Sequence, residues 1–163
     1  MFDPTTLVGF HTWLSLVAIA AGFPITAGLL GGRVATGWTS LYWITAFAMS
    51  ATGFLFPVSG FLPSHAFGVL SILLLIASAY SLYGRGLAGG WGRVYAVTTL
   101  VTFYLLLFVL IVQLFLKVPA LHALAPTQGE PPFAIAQGVL LVIFGALIWR
   151  AFRRFGGARS AAA

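Results

Sequence analysis

Val94-Tyr-Ala-Val-Thr-Thr-Leu-Val-Thr-Phe-Tyr-Leu-Leu-Leu-Phe-Val-Leu-Ile-Val-Gln-Leu-Phe-Leu116 runs for 23 residues without one Asp, Glu, Lys or Arg. As a helix rising about 1.5 Å per residue, it is long enough to cross a hydrocarbon core roughly 30 Å thick. Four more charge-free stretches occur, Leu7 to Leu30, Trp38 to Phe56, His65 to Leu82 and Phe133 to Trp149, of 24, 19, 18 and 17 residues. All ten charged side chains of the 163-residue chain fall outside these five runs.

The composition agrees, with 61% hydrophobic residues against 6% charged and a mean hydropathy of +1.06. A soluble domain carries about a quarter charged residues, and a disordered chain combines low hydrophobicity with high net charge. Both classes are excluded. A membrane β-barrel would show short alternating segments, which these are not. The expectation is an all-α integral membrane bundle of five transmembrane helices forming one domain over residues 1–163. Its spans are placed at about 7–30, 38–56, 65–82, 94–116 and 133–149, with an interfacial loop at 117–132.

The basic residues predict the orientation. Arg33, Arg85, Arg93, Arg150, Arg153, Arg154 and Arg159 fall on one side, the uncharged loop Pro57 to Ser64 and Lys117 on the other. By the positive-inside rule the arginine side is cytoplasmic, so the N-terminus faces out and the C-terminus in. The net charge of +6 is then a topology signal, and the dispersed basic residues predict no nucleic-acid partner. The tail Arg150-Ala-Phe-Arg-Arg-Phe reads as a translocation stop that could also meet anionic lipid.

Met1-Phe2-Asp3-Pro4 carries no positive charge, so the first span is read as a retained helix rather than a signal peptide. Asp3-Pro4 reads as its start, with the carboxylate capping backbone amides. Pro24 predicts a kink. With no cysteine, disulfides, thiolate ligands and cysteine nucleophiles are excluded. Small residues four apart, Ala18/Gly22, Gly28/Gly32, Ala46/Ser50, Ala77/Ser81 and Ala134/Gly138, predict close helix packing. Gly84-Arg-Gly-Leu-Ala-Gly-Gly has no preceding strand and reads as a turn.

On this topology every acid and every histidine lies on the outer side. Asp3 and His11 are at the start of span one, His65 opens span three, and His122 and Glu130 belong to the last outer loop. Gln113 and Gln137 come to a similar depth on spans four and five. Polar groups in a membrane are costly and tend to face a site or another helix. His11, His65, Gln113, His122, Glu130 and Gln137 are therefore the candidate ligand-binding residues, with His11 and His65 the candidate metal ligands. Each has a plainer role open to it: His65 as a neutral side chain beside a Pro63-Ser64 cap, His11, Gln113 and Thr102 as helix-to-helix hydrogen-bonding groups. Tyr80, Tyr83, Tyr95 and Tyr104 read as an aromatic belt. Ala120 to Ala125, with Pro119 at the first position, predicts a short surface helix that could act as a lid. Glu130 is placed to pair with Lys117 or to take a proton from a histidine.

Imidazoles from two helices can ligate haem iron, and His with carboxylate can hold a metal ion. A quinone head group held by His and Gln is the third ligand class. No Ser-His-Asp order or phosphate loop is present, so a non-enzymatic binding protein is expected. The alternative is a structural or assembly partner of a larger membrane complex, its partners being lipid, other membrane proteins or a second copy.

Thr52-Gly-Phe-Leu-Phe-Pro-Val-Ser-Gly-Phe-Leu-Pro-Ser-His65-Ala-Phe-Gly, Tyr83-Gly-Arg-Gly-Leu-Ala-Gly and Val112-Gln-Leu-Phe-Leu-Lys-Val-Pro-Ala-Leu-His-Ala-Leu-Ala-Pro-Thr-Gln-Gly-Glu-Pro-Pro-Phe resemble a group of small polytopic bacterial inner-membrane proteins of unknown function. The resemblance covers spans two to five and implies the bacterial inner membrane as location. More loosely, the arrangement is similar to haem-binding or oxidase-assembly membrane proteins with outer-face histidines, which implies haem b among the ligands to test.

Overall fold

The computed structural model describes residues 3–56 and 63–157. Residues 57–62 of the uncharged loop between α2 and α3, and the tail from 158, with Arg159, lie outside the described residues. Every regular element described is helical. The long helices are α1 (Leu7–Leu30), α2 (Thr36–Gly53), α3 (Pro63–Ala79), α4 (Trp91–Lys117) and α6 (Pro131–Gly157), with the short α5 (Pro119–Leu124) between the last two. A five-residue π-helical turn, Tyr80–Gly84, extends α3.

Four segments are long and apolar enough to cross a membrane: Leu7–Leu30, His65–Gly84, Trp91–Lys117 and Pro131–Phe155. The chain thus has the make-up of a multi-pass protein in lipid. α2 carries no charge, but its Thr, Ser, Gly, Tyr and Trp content leaves it less apolar than these four. α6 runs eight residues past the charge-free window. The basic heads of Arg150, Arg153 and Arg154 do not stop a helix, because long arginine side chains reach out of the apolar zone while the backbone stays helical.

The start of α1 differs from expectation. Thr6 is the cap, its Oγ1 accepting from the Gly9 N–H at 3.1 Å. Asp3 closes the preceding turn instead, accepting from the Thr5 hydroxyl at 2.7 Å and the Thr5 N–H at 2.9 Å. At the other end of α1, Gly32 turns the chain at φ +72°, a left-handed conformation that favours glycine.

α4 is the hub, packing against α1, α3, α5 and α6, while α2 fits between α1 and α3. Its Phe103 is 2% exposed. The rings of Phe23, Tyr42 and Phe144 stand edge-on to it with centroids 5.4, 6.3 and 5.5 Å away, a favoured aromatic geometry. α1 reaches α4 closely because position 22 is glycine: a Cβ there would run into the Phe103 ring. Ala18 and Gly22, and Ala46 and Ser50, are buried as expected. Ala134 and Gly138 are not; they are exposed on α6, and a Cβ at Gly138 would meet open space.

The core is rich in hydroxyls, which lipid-facing backbone rules allow only if they are bonded. Five are satisfied within their own helix, whereas the Tyr42 hydroxyl and Ser50 Oγ are buried without a partner among the described residues. Thr26, Thr45, Ser81, Thr98 and Thr102 each donate to the carbonyl four residues earlier at 2.7–2.8 Å. Thr102 therefore works inside α4 and not between helices. Across helices, Ser78 Oγ and Thr99 Oγ1 lie 2.8 Å apart, and Thr39 Oγ1 and the Tyr95 hydroxyl 3.2 Å apart. Tyr95 is thus fully buried core and not belt, whereas Tyr80 and Tyr83 are 51% and 71% exposed, as a belt requires.

Candidate functional site

The candidate residues collect at the end of the bundle formed by the N-termini of α1, α3 and α6 and the C-termini of α2 and α4. His11 and Thr52 lie 20 residues before Gly31 and 20 after Gly32, so folding α1 back on α2 sets them side by side. His11 Nδ1 is 3.1 Å from Thr52 Oγ1. The single hydroxyl proton of Thr52 is committed to the Met49 carbonyl at 3.0 Å. Thr52 Oγ1 must then accept, so the Nδ1 of His11 carries the proton and its Nε2 keeps a lone pair. The edge of the same imidazole meets Phe56 at 5.2 Å.

His65 belongs to the first turn of α3, which starts at Pro63, a residue suited to a first helical position. Its ring stacks on Phe54 at 5.6 Å with 13° between the planes. Phe54 also lies against Gly68, where a Cβ would sit 3.0 Å from the ring. The end of α2 and the residues just after it thereby touch both candidate histidines, His11 through Thr52 and Phe56, and His65 through Phe54.

Gln137 is partly buried on α6, and its Nε2 donates to the Phe108 carbonyl of α4 at 3.2 Å. Because that partner is an acceptor, the amide oxygen faces away from it, and Gln137 Oε1 is occluded from solvent without a donor. The Phe108 ring stacks on Phe67 of α3 at 5.4 Å, joining the α6 side of the site to the α3 side. Gln113 is partly buried on α4, one residue beyond Val112.

The loop after α4 is built differently from expectation. α5 is the predicted short helix, but it packs chiefly on α4, and His122 is exposed on it. Glu130 does not pair with Lys117. Its Oε1 accepts from the Thr127 hydroxyl at 2.9 Å and from the Thr127 N–H at 3.2 Å, while Oε2 is occluded without a donor. Desolvation pushes the Glu130 carboxyl up, but the Thr127 hydroxyl together with the backbone N–H groups of Glu130, Thr127 and Gly129 outweighs it and holds the group below the usual carboxylate range. The Thr5 hydroxyl, then the Thr5 N–H, hold Asp3 low in the same way.

Gln128, which the residue pattern did not single out, anchors this loop. It adopts φ +60°, left-handed for a non-glycine residue, at a cost of about 1 kcal/mol. In that conformation its Nε2 donates to the Val112 carbonyl at 3.0 Å. A backbone acceptor leaves no mark in sequence, so only the pairing of glutamines with the exposed carbonyls of a long helix could have pointed to it.

The arrangement has an excess of acceptors: the His11 Nε2 lone pair, Gln137 Oε1 and Glu130 Oε2. Among the described residues no three His, Asp or Glu side chains come together in a way that could hold a metal ion. Comparison with protein-family models, curated proteins and solved structures finds no match to this chain in any of the three.

Proposed function

We propose that the chain is a five-span protein of the bacterial inner membrane, N-terminus out and C-terminus in, which binds a small hydrogen-bond-donating ligand at its outer, histidine-bearing end. The observation that carries the ligand is the acceptor surplus of His11 Nε2, Gln137 Oε1 and Glu130 Oε2. Of the three ligand classes a quinone head group, in its reduced hydroxyl-bearing form, suits these acceptors best. A buried acceptor left without a donor costs about 1–3 kcal/mol, and a donating ligand would recover that energy. Haem is the second reading, favoured by the available Nε2 of His11. A metal ion held by protein donors alone fits least, since no three-donor group forms among the described residues.

The five-span reading is supported by the return of α2 along α1, from the Gly31-Gly32 turn back to the level of His11. If α1 crosses, its partner crosses back. The orientation rests on the arginine distribution. A structural or assembly role keeps one observation in its favour, the open small-residue face of α6 at Ala134, Gly138 and Gly145.

The test is to purify the protein in mild detergent, extract and quantify bound quinone, and record the visible spectrum and metal content. A retained quinone that is lost from His11→Ala and Gln137→Leu is the expected result. A colourless preparation free of quinone and metal, with His11→Ala and His65→Ala indistinguishable from wild type, would overturn the ligand reading. Co-purification of another membrane protein by that ligand-free preparation would favour the assembly role.

A further inference from the structure

The opposite end of the bundle concentrates a different chemistry. Arg33 lies on the α1–α2 turn, Arg85 after the π-helical turn, Arg93 in the first turn of α4, and Arg150, Arg153 and Arg154 near the end of α6; all six are exposed. The two acids of the chain, Asp3 and Glu130, are both at the histidine end. Among the described residues no Asp or Glu side chain lies at the arginine end.

Several of these guanidinium groups are nevertheless held in place. Arg93 lies over the Phe152 ring at 4.8 Å, Arg153 over Trp149 at 5.9 Å and Arg85 over Trp91 at 5.4 Å. Stacking on a ring face uses the plane of the guanidinium and leaves its in-plane N–H donors available. The turn meets α6 at Arg154: a Cβ on Gly32 would sit 3.9 Å from that of Arg154, and one on Gly31 would sit 3.6 Å from Arg33 Nε. Arg150 and Arg154 are one helical turn apart, so their like charges repel. Trp149, Arg150, Arg153 and Arg154 line a shallow groove at this point.

Depth identifies the counter-charge. Arg150 is nineteen residues after Pro131, about 28 Å along the helix, close to the thickness of the hydrocarbon core. Arg153 and Arg154 lie one turn further, at the level of lipid phosphates. Trp149, 62% exposed, and Phe152, 37% exposed, mark the same interface. An anion at that depth is a phospholipid phosphate rather than a soluble metabolite.

We propose that the groove of Trp149, Arg150, Arg153 and Arg154 at the end of α6 is a binding site for an anionic phospholipid, whose phosphate is held by Arg150 and Arg154 with Trp149 beside its glycerol and acyl chain, and that Arg33 on the adjoining α1–α2 turn adds its charge from beside the groove. The site is independent of the ligand proposed for the histidine end. It requires α6 to cross the membrane, but not the direction of the crossing.

The test uses full-length protein in neutral detergent, following its melting temperature with added dioleoylphosphatidylglycerol, dioleoylphosphatidylcholine or inorganic phosphate. Phosphatidylglycerol should raise the melting temperature, and phosphatidylcholine or phosphate should leave it close to the starting value. Arg33→Gln/Arg154→Gln should lose about half or more of the rise, while Lys117→Gln at the far end should keep it. Arg150→Gln/Arg153→Gln, on an exposed face, gives a second reading that does not depend on the turn. An equal rise with phosphatidylcholine, a full rise with inorganic phosphate alone, or a full rise in both double variants would overturn the assignment.

Discussion

His11 Nδ1 lies 3.1 Å from Thr52 Oγ1, and the Thr52 hydroxyl is itself spent on the Met49 carbonyl. One side chain of α2 thereby sets the tautomer of a histidine on α1. Thr52→Val should leave Nδ1–H without its acceptor and release the tautomer, whereas Thr52→Ser should preserve it. Imidazole ¹⁵N shifts report the tautomer directly. In a double-mutant cycle of His11→Ala and Thr52→Val, unfolding free energies should show a coupling of about 1 kcal/mol.

Gly22 meets the Phe103 ring so closely that a Cβ cannot be accommodated without movement. Gly22→Ala should destabilise the bundle by about 1–3 kcal/mol, the range for overpacked cores. Combined with Phe103→Leu, which removes the ring, it should cost less than the two single changes added together. Additivity in denaturant titrations would count against this contact as the reason for the glycine.

The Thr39–Tyr95 pair should respond unequally to removal of either partner. Tyr95→Phe frees a threonine hydroxyl that can turn to its own helix backbone, so the cost should stay under about 1 kcal/mol. Thr39→Val strands a phenol that is fully buried and should cost about 1–3 kcal/mol. Comparable losses from the two variants would show that the phenol finds another partner.

The Thr127–Glu130 closure should depend on pH. The folded carboxyl sits below its ordinary value of about 4.5, so the folded state binds fewer protons than the unfolded one near that pH. Its contribution is complete above the ordinary value and is lost as pH falls through the lower folded value. Protection factors for the amides at 127–130, taken against the intrinsic exchange rate at each pH, should therefore be higher at pH 6 than towards pH 3. Thr127→Val, which removes the hydroxyl bond but keeps the backbone donors, should reduce that difference.

Topology can be read by labelling because the chain has no cysteine. Thr127→Cys should react with a membrane-impermeant maleimide added from outside. Ala88→Cys, exposed in the turn before α4, should react only after the membrane is opened. The reverse pattern would invert the orientation and move the candidate site to the cytoplasm.

Absence of charge bracketed α1, whose bounds match the span placed at Leu7 to Leu30, although the uncharged run itself extends from Pro4 to Gly32. It underestimated α6, because absence of charge measures the hydrocarbon thickness and not the helix. The gathering of His11, His65 and Gln137 at one end was also legible, since successive long helices joined by short turns run antiparallel and fix which helix ends meet. Their partners were less so. Thr52 could have been found by counting equal distances from the Gly31-Gly32 turn, but the Phe108 and Val112 carbonyls used by Gln137 and Gln128 are backbone groups that every residue carries. Glu130 bonds Thr127, three residues away, in preference to the distant Lys117 because a short loop closes at less entropic cost.

The hydroxyls bonded within their own helices carry a consequence for assembly. A helix whose threonines already satisfy themselves can enter lipid alone, so bringing helices together changes little in polar energy. Ser78–Thr99, Thr39–Tyr95 and His11–Thr52 are different, because each exists only when two helices stand at one axial offset. Sliding one helix by a single residue, about 1.5 Å, would strain or break the bond. These pairs therefore act as latches on register, selecting one alignment among many that the apolar surfaces would tolerate.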